Sequence, residues 1–276
     1  MPKQAIALLV HQNSDQVNTL IKLLEKDFDI YIHIDKKSTV NIEDIASANS
    51  WKKYKVKWGG YSMVQATVLL YNKILETGNP YTHIILLSAD SLPVKSNSFI
   101  ADYLSGNKGI SFIENNGVSG IREERRALLW FNEDIKKKSL SNIIFRLIRR
   151  IQRKLNIKRS AKGFERIGSQ WTILSLEHVK HLLEHCRFSD YWSMAVPDES
   201  FVQNHFFNYN IPYNENKIYA HWPEPRTHSP GFIDQQSFLS LVQSDYLFDR
   251  KFNTDLQIAY QYFNAQEADK DRASSR

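Results

Sequence analysis

Two carboxylates stand where apolar, strand-like runs give way to polar residues: Asp35 closes Ile30 to Ile34, and Asp90 follows His83 to Leu87 and Ser88. In an open α/β sheet the ligand crevice lies beyond the carboxyl ends of the strands, so both acids are placed to meet a bound molecule. His11, just past the apolar run Ala5 to Val10, falls at the same kind of end. The pair Asp198-Glu199 follows Pro197 and opens a helix through about Phe207, with Asp198 read as its N-cap. Familiar motifs are missing: the sequence has no Gly-x-Gly-x-x-Gly, Walker loop, His-Glu-x-x-His or Gly-x-Ser-x-Gly. It also has no Asp-x-Asp after a strand, the pair that holds Mg²⁺ or Mn²⁺ over a diphosphate. Asp27-Phe28-Asp29 has that spacing but precedes a strand, which makes it turn chemistry.

The elements that position these residues alternate in the manner of a sheet with crossover helices. Ala5 to Val10 is a continuous run of buried-strand length, after which Val17, Leu20, Ile21 and Leu24 recur at helical spacing. A second strand covers Ile30 to Ile34, a helix follows Trp58-Gly59-Gly60 over Ser62 to Leu75, and a third strand covers His83 to Leu87. Later, Thr172 to Leu174 reads as a strand and Leu176 to His185 as a helix. The stretch from Asn208 to Asp234, rich in Pro, Asn, Tyr and His, reads as ordered loop.

With 276 residues, 42% hydrophobic and 24% charged, the chain is neither disordered nor a disulfide-stapled miniprotein. The lone Cys186 excludes an internal disulfide and a cysteine metal cage, and it is expected as inert packing in a reducing compartment. The amino-terminal apolar stretch is too short for a signal sequence, and no run is long enough to cross a bilayer. The formal charge of +6 is unevenly spread. Residues 136–162 hold eleven Lys or Arg and no acid, leaving 25 basic against 30 acidic residues elsewhere, a net of −5. Within that segment Leu140, Ile143, Ile144, Leu147, Ile148, Ile151 and Leu155 keep helical spacing, with Arg146, Arg149, Arg150, Arg153 and Lys154 on the other face. Such a basic amphipathic helix fits either a core-packed domain helix or a peripheral contact with an anionic membrane.

Seven segments in order carry a wider likeness: Leu8-Leu9-Val10-His11, Tyr31 to Ser38, Trp58-Gly59-Gly60-Tyr61-Ser62, Leu86-Leu87-Ser88 with Pro93-Val94-Lys95-Ser96, Gly168-Ser169-Gln170-Trp171, Val196 to Phe201, and Leu247-Phe248 with Arg250-Lys251-Phe252. Over residues 5 to 255 the chain resembles the core-2/I-branching family of β-1,6-N-acetylglucosaminyltransferases and peptide O-xylosyltransferases. The resemblance implies an α/β, GT-A-type, Rossmann-like fold with a mixed sheet flanked by helices. One domain is expected over 1–265, nucleotide-sugar-binding mainly over 1–130 and acceptor-binding and catalytic mainly over 163–265, with 266–276 a flexible tail. It also implies an inverting glycosyltransferase without metal or other cofactor. The expected reaction moves N-acetylglucosamine from UDP-N-acetylglucosamine, in β-linkage, to a surface-glycan hydroxyl of a capsule, exopolysaccharide or lipopolysaccharide. UDP-xylose, UDP-glucose and UDP-galactose stay open as donors.

Residue by residue, the resemblance makes Glu199 the catalytic base and Arg250, Lys251 and Arg226 the cations on the diphosphate. It gives His11, Asp35, Lys37, Trp58 and Asp90 to the nucleotide-sugar, and Gln170, Trp171 and Asp198 to the acceptor. An amide hydrogen-bonds hydroxyls and an indole offers an apolar face to a pyranose ring. Two departures stand out. The family's acid three positions after the third-strand serine is here Ser91, with Asp90 one place earlier, and the Asp before the Trp in the xylosyltransferase branch is here Gln170. Animal members are cysteine-rich and anchored in the Golgi, so one cysteine and no anchor point to a bacterial, cytoplasmic relative, with peripheral contact at the inner membrane face left open through 136–162. A nucleic-acid-binding module built on the basic helix is the competing reading; it has no recognised motif and an acidic remainder against it. A degenerate glycan binder is the third, opposed by the presence of Glu199 and Arg250-Lys251.

Overall fold

The apolar run near the amino terminus forms the centre of a sheet. Strand β1 (Gln4–Val10) lies between β2 (Phe28–Ile34) and β4 (His83–Ser88), parallel to both, with Leu8 paired to Ile32 on one side and Leu87 on the other. Strands covered on both faces are apolar at consecutive positions, which is why Ala5 to Leu8 and Ile84 to Leu87 are all buried. The computed structural model describes residues 3–118, 127–130, 140–160, 162–223 and 230–252.

Around this centre the sheet extends to seven strands in the order β10-β6-β9-β4-β1-β2-β3, with β3 at Ser50–Trp51, β6 at Ser111–Phe112, β9 at Ile173–Ser175 and β10 at Tyr213–Asn214. Strand β9 runs antiparallel to β4 and β6, so the sheet is mixed. A three-stranded sheet joins β5 (Ser91–Pro93), β12 (Phe248–Arg250) and β11 (Ile218–Ala220), and a two-stranded one joins β7 (Asn116–Gly117) to β8 (Arg166–Ile167). Helices flank the sheet, giving the mixed α/β architecture expected. Helix α1 (Ser14–Leu24) is capped by Asn13, whose side chain accepts the Gln16 amide, and buries Val17, Leu20, Ile21 and Leu24. Helices α2 (Ser62–Glu76) and α5 (Leu176–His185) fall where the spacing places them, whereas α3 (Asn97–Gly106), capped by Ser96, is an element that spacing alone did not reveal.

Two helices differ from expectation. The one expected from Pro197 is split into a single 3-10 turn, Pro197–Glu199, and α6 (Phe201–Asn208), because Ser200 leaves helical geometry between them. The basic helix α4 (Leu140–Lys154) forms, but Arg149 is buried instead of joining a solvated face, with its guanidinium carbon 3.9 Å from the centre of the Trp130 ring. The last helix, α7 (Gln235–Val242), is capped by Asp234. Cys186 ends α5, and burial pushes its thiol up to about 12, as inert packing requires.

Candidate active site

The carboxyl ends of three neighbouring strands open the site. The Asp35 amide donates to the Val10 carbonyl and the Ala89 amide to the Leu9 carbonyl, so His11, Asp35 and Asp90 leave the sheet side by side. One Asp35 oxygen is held by the Lys37 and Val56 amides at 2.9 and 3.0 Å, and its other oxygen lies 3.8 Å from the Lys37 ammonium. Beneath them, the buried His33 accepts the Tyr54 amide on Nε2, and burial lowers its pKa to about 4, so it is a neutral acceptor near neutral pH. His11 sits exposed at the mouth, yet the surrounding walls dehydrate its imidazole enough to lower its pKa, against the pull of Asp90 and Asp35.

Three turns far apart in sequence close the opposite wall. The Val196 amide donates to Gly59 at 2.9 Å and the Gly168 amide donates to Glu199 at 3.0 Å, so the segments around Trp58, Gln170 and Glu199 share backbone bonds. Gly59 adopts a positive φ of 70°, which its missing Cβ permits. At Gly168 the constraint is space, since a Cβ there would stand 1.7 Å from the Glu114 carbonyl oxygen. Helix α6 locks the same turns with buried amides. Asn204 both accepts from and donates to the Arg166 backbone, and Gln203 donates to the Ser169 carbonyl. These side-chain bonds to loop backbone tie the Glu199 turn to the helix, although the Gln203 Oε1 is buried without a partner.

The cations arrive on β12. Pairing of Arg250 with Ser91 across β5, and of the Phe252 amide with the Asp90 carbonyl, sets Arg250 and Lys251 beside Asp90. The Arg250 guanidinium is 3.5 Å and the Lys251 ammonium 3.7 Å from the Asp90 carboxylate. Burial works against the charge of Arg250, while Asp90, Asp249 and Glu199 support it. Ser88 donates to Asp90, and the Ser91 hydroxyl closes the turn by accepting the Ser88 amide. In this chain Ser91 closes the turn and Asp90, one place earlier, reaches the cations.

One cleft of about 1080 Å³ is lined by Glu199, Arg250, Lys251, His11, Asp35, Lys37, Trp58, Asp90, Gln170, Trp171 and Asp198, eleven of the twelve residues singled out from sequence. Arg226 lies outside the described residues. Asp198 is not an N-cap, since it lies inside the 3-10 turn, which Val196 precedes, while Ser200 precedes α6; its carboxyl is buried, and burial and Glu199 hold its pKa well above the ordinary range. The Oδ1 of Asp198, and Nε2 of Gln170, are buried without a protein hydrogen-bond partner, which marks both as polar groups the fold itself does not satisfy. Trp171 is less suited to a sugar ring than its indole implies, because it is buried and Arg250 stacks over it at 4.5 Å. The exposed aromatic surface lies instead at Tyr213 and Trp222 on the rim, in the Tyr-rich stretch read only as loop. Sequence reasoning also missed Asp249, which carries no motif and is visible only through the strand that buries it. Asp27 and Asp29 are structural, accepting hydrogen bonds from Asn97 and Tyr81.

An α/β domain with acids at strand ends and paired cations facing one deep cleft has the crevice in which open-sheet proteins bind their ligands, beyond the carboxyl ends of the strands. Residues 9–242 match the Core-2/I-Branching enzyme family, and the chain belongs to that family. Xylosyltransferase 1 of Homo sapiens is 24% identical over 220 residues, 75% of this chain and 20% of that protein. Xylosyltransferase 1 of Rattus norvegicus is 28% identical over 134 residues, 44% of this chain and 16% of that one. The chain thus spans about a fifth of the length of these curated relatives. Among solved structures, a 2-C-methyl-D-erythritol 4-phosphate cytidylyltransferase from Thermus thermophilus matches with a TM-score of 0.38 and 9% identity, covering 88% of this chain and all of that one.

Proposed function

We propose that this chain is an inverting glycosyltransferase that uses a uridine diphosphate sugar. The observation that carries the reading is the convergence of Glu199 with Arg250 and Lys251 on one cleft whose other wall presents Asp35 and Lys37. In the proposed reaction the Glu199 carboxylate takes the proton of an acceptor hydroxyl as that oxygen bonds to the anomeric carbon from the face opposite the leaving group. The bond from that carbon to the diphosphate oxygen breaks, and the nucleoside diphosphate departs with the electron pair. Arg250 and Lys251 stabilise the charge that develops there, in place of a divalent metal. Their present partner Asp90 keeps them in position until a diphosphate competes for them.

UDP-N-acetylglucosamine is the donor we propose first, with a hydroxyl of a surface glycan as acceptor. UDP-xylose is the second reading, favoured by the names of the relatives and opposed by Gln170, which stands where the xylosyltransferase branch has an acid. A thermal-shift panel of UDP-sugars decides between them, because a ligand bound only to the folded state raises the melting temperature. The account expects UDP-N-acetylglucosamine to give the largest rise. A larger rise with UDP-xylose selects the second donor, and no rise with any UDP-sugar contradicts the reading.

A further inference from the structure

Helix α4 is mounted the wrong way round for a core helix. Its inward face is polar: Arg149 stacks on Trp130, and the Gln152 side chain accepts from the Leu129 amide at 2.8 Å and donates to the Leu129 carbonyl at 3.1 Å. Its outward face is apolar, with Ile143 59%, Ile144 57%, Leu147 55%, Ile151 47% and Leu155 62% exposed. Sequence periodicity left either mounting open, and the structure leaves exposed the stripe whose burial would stabilise an amphipathic helix in water. A contiguous row of exposed Ile and Leu is a surface that something covers.

We infer that α4 seats the protein on an anionic lipid surface, apolar row downward. Arg146, Arg150 and Lys154 are exposed along one flank of that row, and no acidic residue occurs anywhere in 136–162. Lipid tails take the apolar row, and anionic headgroups take the cations beside it. A second copy of the chain is the poorer occupant, because pairing α4 with itself sets like charges face to face. No helix among the described residues is long and apolar enough to span a membrane, so the contact is a surface one.

The mounting also connects the helix to the cleft. The Trp130 amide bonds to Ser193, and Leu128 and Trp130 pack with Ala195 and Val196 on the turn that leads to Glu199. A lipid surface under α4 therefore lies two packed layers from the acceptor wall. Placed there, the site suits an acceptor whose reducing end is held by a lipid, a deduction that rests on the glycosyltransfer reading while the docking itself does not.

The test is flotation of the full chain, without nucleotide, on vesicles of equal parts phosphatidylcholine and phosphatidylglycerol and on vesicles of phosphatidylcholine alone. The inference expects binding to the mixed vesicles that is tighter by about tenfold or more and weakened by salt. Leu147→Gln with Ile151→Gln should lower it about tenfold without changing the melting temperature, since both side chains face solvent. Arg146→Gln with Arg150→Gln and Lys154→Gln should erase the preference for the anionic vesicles. Equal binding by wild type and variants overturns the inference. So does a wild-type dimer that the Leu147 and Ile151 changes make monomeric without any vesicle binding. UDP binding, measured separately, stays intact if only the docking inference fails.

Discussion

Beneath the cations of the cleft, Asp249 gives one carboxylate oxygen to the Arg250 amide and buries the other without a partner. Burial raises its pKa from 3.8 to about 7, against the opposing pull of that amide and of the Arg250 charge. The native state therefore holds a proton that the unfolded chain releases, and stability falls as pH rises from about 4 to about 7. The penalty is complete above that range and amounts to at most about 4 kcal/mol. Asp249→Asn removes the titration, so its melting temperature should exceed that of wild type at pH 8 and match it near pH 4. A variant less stable than wild type at pH 8 would show that the charged carboxylate is needed to hold Arg250. No sequence pattern flags Asp249, because its importance comes from burial on a three-residue strand. Asp35 and Asp90, by contrast, were legible because apolar runs end at them.

At the scale of elements, the site depends on three turns that share backbone hydrogen bonds. Gly168 is the tightest point, where a Cβ would meet the Glu114 carbonyl oxygen. Gly168→Ala should cost at least about 3 kcal/mol in chemical denaturation, with the turn that holds Glu199 displaced. A loss under 1 kcal/mol, as an approximate bound for a surface change, would mean that the wall yields. The first strands and α5 were readable because continuous apolar runs and helical spacing report burial directly. The split of the helix after Pro197 was not, since Ser200 gives no sign in sequence that it breaks helical geometry. Helix α4 shows the same limit: its periodicity gave the element, but which face turned inward depended on Trp130 and Leu129, outside the helix.

For the whole molecule, the net charge of +6 is a poor guide to the surface, because residues 136–162 carry it all and the remainder is acidic. The nucleic-acid reading drew on the basic helix. An isoleucine and leucine row facing solvent on the basic helix favours lipid over a phosphate backbone, which needs cations at the contact. The proposed chemistry likewise places its cations locally, on β12. Turnover should accordingly survive excess EDTA within about twofold, the scatter of an ordinary assay, if fixed cations do the work of a metal at the leaving group. A strict dependence on Mn²⁺ would contradict that assignment.

Release of UDP from the donor, compared in wild type and Glu199→Gln with UDP affinity measured alongside, tests the central claim most directly. The account predicts that kcat falls by about a hundredfold or more, the usual worth of a positioned general base, while UDP affinity stays within about twofold. Wild-type turnover in Glu199→Gln would remove Glu199 from the chemistry and contradict the account.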